Sequence, residues 1–122
     1  MTYIVKIMPK PRNTVEPSRH LVAVLAYDGV STFELGIAVE IFGLTSMGSD
    51  WYRVVVCSDR PGQPLSANGG VNIVASAGLE ALSRAGTIIV PGWQDIDANP
   101  PEGLLDALRD AHANGKRIAS IC

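Results

Sequence analysis

The order of apolar runs and helical patterns predicts an α/β fold, in which helices cover both faces of a mostly parallel sheet as a three-layer α-β-α sandwich. The predicted elements follow one another as β-α-β-hairpin-α-β-α-β, an alternation typical of parallel sheets. The chain has 122 residues, of which 47% are hydrophobic and 18% charged, so it has enough apolar surface for a buried core. Its length corresponds to one domain or less.

Two apolar runs and one helix are predicted in the first half of the chain. Residues 21–27, LVAVLAY, have no polar alternation, which is typical of a strand buried on both faces. Residues 52–58, YRVVVCS, predict a second buried strand. Residues 31–44 predict a helix between them, and its apolar residues cover almost the whole circumference. We therefore expect this helix to be covered on more than one side.

The second half adds a hairpin, two helices and two strands. Asn68-Gly69 lies between residues 65–67 and 71–75, which is a strong signal for a two-residue hairpin connection. The remaining predicted elements are a short helix at 78–85, strands at 87–90 and 117–121, and a helix that is capped by Asn99 and ended by Gly115.

Residues 1–20 differ from the rest of the chain in charge and contain three prolines. They hold four basic residues and one acidic residue, whereas residues 21–122 hold six basic and eleven acidic residues. Pro9, Pro11 and Pro17 block a helix and interrupt a strand, so we interpret this segment as an N-terminal arm. The acidic body argues against a surface that binds DNA phosphates.

The composition also excludes several other classes of protein. No apolar run approaches the roughly 18 residues of a membrane span, and the first 20 residues contain no apolar signal-peptide core. Cys57 and Cys122 lack metal-ligand spacing, and no Gly-rich nucleotide motif occurs, so no disulfide scaffold, metal or cofactor is predicted. We expect a cytoplasmic protein that does not associate with membranes.

Candidate ligand-binding residues follow two of the predicted strands. Asp28 and Gly29 end the first strand, whereas Gly92 and Trp93 follow the third. Ligands bind beyond the carboxyl ends of parallel strands, so we expect these four residues at one edge of the sheet. Trp93 offers a flat apolar surface and an N–H donor, and the loop at 91–101 is long for this kind of connection. A plain surface loop is the alternative interpretation.

Glu34 and Cys122 are the candidate reactive residues. Glu34 lies on an otherwise apolar helix face, where a buried acid could hydrogen-bond a reactive group. The segment from Ser31 to Glu34 also fits a capping box, which requires no catalysis. Cys122 directly follows a strand, but a Cys–His pair needs a nearby histidine. His20 lies at the opposite sheet edge and His112 near the end of a helix, so the residues predict no complete dyad.

Three segments in order resemble a known superfamily. They are YDGVSTFELGIAVEIFG at 27–43, VPGW at 90–93 and AHANGKRIASIC at 111–122. Together they resemble the ThiJ/PfpI superfamily, the class I glutamine amidotransferase-like fold, and most of all its branch of FtrA- or GlxA-type regulators fused to AraC-type helix-turn-helix domains. The resemblance spans residues 21–122 and implies a flavodoxin-like, mostly parallel sheet with a small hairpin.

The resemblance also implies roles for individual residues. Glu34 matches the acid that lies beside the nucleophile-elbow cysteine of the superfamily, and Cys122 matches that cysteine. Members of the family continue past this cysteine, so the sequence is expected to represent the first part of the domain and to stop at the elbow. Many enzymatic members have a second glycine after the proline, where this chain has Trp93. This departure favours ligand sensing over catalysis.

The function that the resemblance implies is therefore a ligand-sensing and dimerisation domain of an AraC-type regulator. Its partners would be an unidentified small-molecule effector and a second copy of the chain, and DNA would be bound only through a downstream domain. The alternative is a cysteine-dependent enzyme, isonitrile hydratase-like or peptidase- or deglycase-like, which would use Cys122 and Glu34. A receiver-like signalling domain is disfavoured because Pro91 stands where a receiver has an aspartate.

Overall fold

The computed structural model describes residues 4–7, 21–48, 51–93 and 95–122. Its largest element is a five-stranded sheet. The strands are β1 (Val5–Ile7), β2 (Leu21–Leu25), β3 (Arg53–Cys57), β6 (Thr87–Pro91) and β7 (Arg117–Ile121), and the order across the sheet is β1-β7-β6-β2-β3. All neighbouring pairs are parallel except β1 and β7, which are antiparallel.

The strand order decides on which face each helix packs. Helix α1 (Thr32–Phe42) connects β2 to β3, and helices α2 (Ala81–Arg84) and α3 (Leu104–Ala113) follow β3 and β6. From β2 the chain moves outward to β3, and later it moves in the opposite direction, to β6 and β7. Right-handed crossovers then place α1 on one face and both α2 and α3 on the other. The predicted α/β sandwich with a mostly parallel sheet is confirmed.

The predicted hairpin is present and lies outside the main sheet. Strands β4 (Pro64–Ser66) and β5 (Asn72–Val74) pair antiparallel, and residues 68–70 between them form a single 3₁₀ turn. Gly69 has a φ of 70°, a conformation that side-chain-bearing residues rarely adopt. The connection between the strands is therefore longer than the two-residue turn that the sequence predicts.

The core is centred on β2 and β6. Val22, Ala23 and Val24 in β2 are fully buried, and so is Ile88 in β6. Strands enclosed by helices on both faces need apolar side chains at every position, which explains the lack of alternation in these segments. No helix in the described part of the chain is long and apolar enough to cross a membrane.

One strand was not predicted. Val5–Ile7 lies in the segment that we interpreted as an arm, and it pairs with β7. The Ile4 N–H donates to the Cys122 carbonyl at 3.1 Å, and the Cys122 N–H donates to the Ile4 carbonyl at 3.2 Å. The strand ends at Ile7, two residues before Pro9. Its formation depends on pairing with β7, which lies more than 100 residues away in the chain, so the local sequence does not reveal it. The rest of the predicted arm, residues 1–3 and 8–20, lies outside the described residues.

Two helices begin later than predicted. Asn99 does not cap α3, because the helix starts at Leu104 after Gly103, which has a φ of 83°. Pro101 disfavours the helical conformation for Pro100, the residue before it, so a helix cannot begin directly after Asn99. The short helix predicted at 78–85 covers only Ala81–Arg84.

The outer face of α1 is more exposed than predicted. Leu35 and Ala38 are buried against the sheet, whereas Phe33 is 59% exposed and Ile41 is 48% exposed. Among the described residues, this helix is therefore covered on one side only.

Candidate functional site

The candidate site lies at the carboxyl ends of β2 and β6. The connection after β2 runs toward β3, whereas the connection after β6 runs toward β7, so a crevice remains between them. A cavity of about 370 Å³ lies here, a size within the range of small-ligand pockets. Its lining residues come from the loops that follow three parallel strands, and they are Tyr27, Asp28, Asp59, Arg60, Trp93, Ala98, Asn99 and Pro101.

Tyr27 and Trp93 form the aromatic wall of this cavity. Their ring centroids are 4.6 Å apart with an interplanar angle of 36°. The Tyr27 hydroxyl donates a hydrogen bond to the Pro91 carbonyl at 2.6 Å and also contacts the Gly92 carbonyl. Burial, together with the nearby Glu34 carboxylate, raises the pKa of Tyr27 to about 12. The hydroxyl thus stays protonated and holds the loop that carries Trp93 against β2.

Sequence reasoning did not single out Tyr27. Tyr27 ends an apolar run directly before Asp28. Its polar hydroxyl at the end of a buried strand was the feature of the sequence that could have identified it. Its partners are 64 and 65 positions away, however, so the local sequence does not identify them.

Replacing Tyr27 by phenylalanine tests this loop contact. The Tyr27 pKa is raised above its usual value of 10.0, so the unfolded chain ionises first, and stability that is complete below pH 10 is lost between pH 10 and about 12. We expect Tyr27→Phe to lower the free energy of unfolding by about 1–2 kcal/mol at neutral pH. It should also reduce the loss of stability across that pH window. Urea unfolding at a series of pH values measures both effects. If Tyr27→Phe loses as much stability between pH 10 and about 12 as the unsubstituted protein does, other titrating groups cause that loss.

Asp28 and Gly29 connect the hairpin to the sheet edge. The Ser66 N–H donates to one Asp28 carboxylate oxygen at 3.0 Å, and the Arg60 guanidinium donates to the other. Both interactions lower the pKa of Asp28, and the hydrogen bond from the Ser66 N–H contributes most. Gly29, which has a φ of 87°, donates its N–H to the Ser66 carbonyl at 2.7 Å. Both predicted residues lie at the expected edge, but both oxygens of Asp28 already have protein partners.

Asp28→Asn is expected to loosen the hairpin without unfolding the chain. Removing the charge weakens the hydrogen bonds that Arg60 and Ser66 donate. The stabilisation lost with such hydrogen bonds corresponds to local opening that is roughly two- to tenfold faster. Hydrogen exchange of the Ser66 amide measures the effect. Asp59→Asn removes the neighbouring charge, which has no such bonds, and is the matched control. Equal exchange rates in the two variants would contradict the assigned role of Asp28.

Glu34 lies beside Gly92 and the end of β7. Ser31 is the N-cap of α1, since its Oγ accepts a hydrogen bond from the Glu34 N–H at 3.3 Å, as predicted. The Glu34 carboxylate itself contacts Gly92, and its Oε2 atom is buried without a hydrogen-bond partner among the described residues. The Gly92 N–H donates to the Ile121 carbonyl at 2.6 Å.

Cys122 directly follows this cluster and is exposed. The Glu34 carboxylate and the Ile121 carbonyl both lie beside Gly92, whereas the described residues that line the aromatic cavity include neither Glu34 nor Cys122. His112 lies exposed on α3, and His20 is outside the described residues. In the described ranges, no group of three or more His, Cys, Asp or Glu side chains could hold a metal ion.

Comparison with known proteins relates this geometry to other chains. No protein-family model matches the sequence. The chain is 27% identical over 105 residues to an uncharacterised protein encoded in the cpoL 5′ region of Streptomyces lividans, and the match covers 84% of this chain and 73% of that protein.

Two crystal structures of regulators share the fold. One is an AraC family transcriptional regulator from Pseudomonas putida, with a TM-score of 0.62, 18% identity, and coverage of 79% of this chain and 60% of that chain. The other is a putative transcriptional regulator from Vibrio parahaemolyticus, with a TM-score of 0.66, 20% identity, and coverage of 83% and 55%. This chain thus matches little more than half of either structure, and at these identities the likeness establishes a common fold.

Proposed function

We propose that this chain is the ligand-sensing and dimerisation part of an AraC-type transcriptional regulator. The observation that carries the proposal is the cavity between the ends of β2 and β6, which combines an aromatic wall with charged side chains in a fold common to two regulators. In this proposal a small molecule binds in the cavity and a second copy of the chain forms a homodimer. A separate part of the whole protein contacts DNA.

The charge of the chain supports the proposal that DNA is bound by a different part of the protein. The net charge is −2, and residues 21–122 are more acidic than the chain as a whole. Affinity for DNA depends mainly on basic side chains that replace counterions along the phosphates, and this acidic body offers few of them. The matched regulators also extend well beyond the aligned part, which leaves room for a DNA-binding domain elsewhere.

The surroundings of Gly92 argue against the enzymatic alternative. Acyl-transfer chemistry needs backbone N–H groups that are free to stabilise an oxyanion. The Gly92 N–H is already bound to the Ile121 carbonyl at 2.6 Å. We therefore propose that Glu34 and Cys122 do not catalyse a reaction.

A transcription assay with the whole protein tests the proposal. A reporter fused to the promoter beside its gene is measured in the native host on different carbon and nitrogen sources. We expect a response to growth conditions that Trp93→Ala abolishes while DNA binding by the purified protein is retained. Trp51→Phe is the control, because Trp51 donates its indole N–H to the Ile41 carbonyl and does not line the cavity.

Two outcomes would overturn the proposal. A whole protein that does not bind the promoter DNA would exclude the regulatory role. Loss of the response in Cys122→Ser, together with a full response in Trp93→Ala, would favour cysteine chemistry over sensing at the aromatic cavity.

A further inference from the structure

A second cavity, of about 350 Å³, adjoins the aromatic one. Trp93 and Ala98 line both cavities, so the two spaces meet at the loop after β6. The other walls of the second cavity are apolar except for the backbone, and they are formed by Leu25, Val90, Ile96, Pro100, Leu104, Leu105 and Leu108. A molecule that occupies both spaces must therefore have one polar end and one aliphatic end.

The charges of the first cavity determine which polar end is favoured. The Arg60 guanidinium is paired with Asp28, so these two charges offset each other. Asp59 lines the same cavity and makes no hydrogen bond or ion pair with any residue that the structure describes. Among the residues that the structure describes, one negative charge of the cavity therefore has no partner, and this charge attracts a cation and repels an anion.

The aromatic wall favours the same sign of charge. Trp93 and Tyr27 border the cavity that contains Asp59, and the faces of aromatic rings attract ammonium groups within about 6 Å. Trp93 also borders the apolar cavity, so one side chain can contact both the head and the body of a ligand.

We propose that the ligand is a small amphipathic amine, with an ammonium head beside Asp59 and an aliphatic body between Trp93 and α3. This inference rests on the proposed sensing function and specifies the chemistry of its site. Asp59 is the residue that selects the charge of the head, and Trp93 is the anchor for both ends of the ligand.

Binding of three probes of equal length tests the proposal. The probes are n-hexylammonium, 1-hexanol and hexanoate, measured by isothermal titration calorimetry on the whole protein. We expect n-hexylammonium to bind about five- to tenfold more tightly than 1-hexanol, because a charge-assisted contact exceeds a neutral one by that factor. Hexanoate should bind most weakly. Asp59→Asn should remove the preference for the amine, and Trp93→Ala should weaken the binding of n-hexylammonium and 1-hexanol alike.

The control is Asp97→Asn, which removes the same charge from another exposed residue, in the loop that carries Trp93, that does not line either cavity. It should leave the preference for the amine intact. Tighter binding of hexanoate than of n-hexylammonium, or a preference that survives Asp59→Asn, would overturn the proposed head group while leaving a ligand site at Trp93. Binding of none of the three probes would overturn the amphipathic ligand, and the reporter assay would still decide the sensing function independently.

Discussion

Replacing Ile88 by alanine is expected to lower the free energy of unfolding by about 2–5 kcal/mol, the largest effect predicted for this chain. Ile88 is fully buried in β6, opposite Ala23 in β2 and Ile118 in β7. Truncation removes three carbons from contact with both neighbouring strands, and a rigid sheet cannot collapse onto the cavity that remains. Urea unfolding monitored by circular dichroism measures the loss.

Ile96→Ala is the matched control for this substitution. It removes the same atoms from a side chain that is 89% exposed, so a change within about 0.5 kcal/mol is expected. A loss in Ile96→Ala equal to that in Ile88→Ala would contradict the position of β6 at the centre of the core.

Gly92→Ala is expected to lower the free energy of unfolding by about 2–4 kcal/mol. Gly92 has a φ of 45°, and a left-handed conformation costs a residue with a Cβ about 1–2 kcal/mol. The added Cβ would also meet the Glu34 carboxylate and lie 3.3 Å from the Ile121 carbonyl oxygen. One of these groups has to move, which adds a packing cost of about 1–3 kcal/mol.

Two further variants separate these two costs. Gly29 has a φ of 87° and open space around the position of its Cβ, so Gly29→Ala measures the conformational cost without a steric clash. Adding Glu34→Ala to Gly92→Ala removes the carboxylate and should recover part of the difference between the two glycine positions. Equal losses in Gly29→Ala and Gly92→Ala would show that the Glu34 carboxylate does not rest on Gly92.

Local patterns predicted most of the elements correctly. The uninterrupted apolar residues of β2 and β6, the hairpin around Asn68-Gly69 and the Ser31 cap each depend on interactions within a few residues, so their signals are visible in the sequence. A prediction from a single residue failed where the residues next to it oppose the predicted structure. Asn99 is a good capping residue, but the two prolines that follow prevent a helix from starting there.

The candidate site was predictable in its position but not in its contacts. Strand ends in a parallel sheet meet at one edge, so Asp28, Gly29, Gly92 and Trp93 were correctly expected to lie there. The pairing of Asp28 with Arg60 and Ser66 was not predictable, because these partners lie 32 and 38 positions away. In the described part of the chain, this pairing leaves Asp59, which the sequence did not single out, as the charged group of the cavity without a partner.

The sequence by itself thus determined the α/β class, the buried strands and the sheet edge at which Asp28, Gly29, Gly92 and Trp93 lie, because hydrophobic periodicity and the order of elements along the chain are visible in the sequence. Only the tertiary structure decided that β1 completes the sheet beside β7 and that Tyr27 holds the loop carrying Trp93. It also decided that Glu34 reaches Gly92 across the sheet edge. Each of these contacts joins residues far apart in the chain, and their geometry depends on how the packed layers bring backbone groups together.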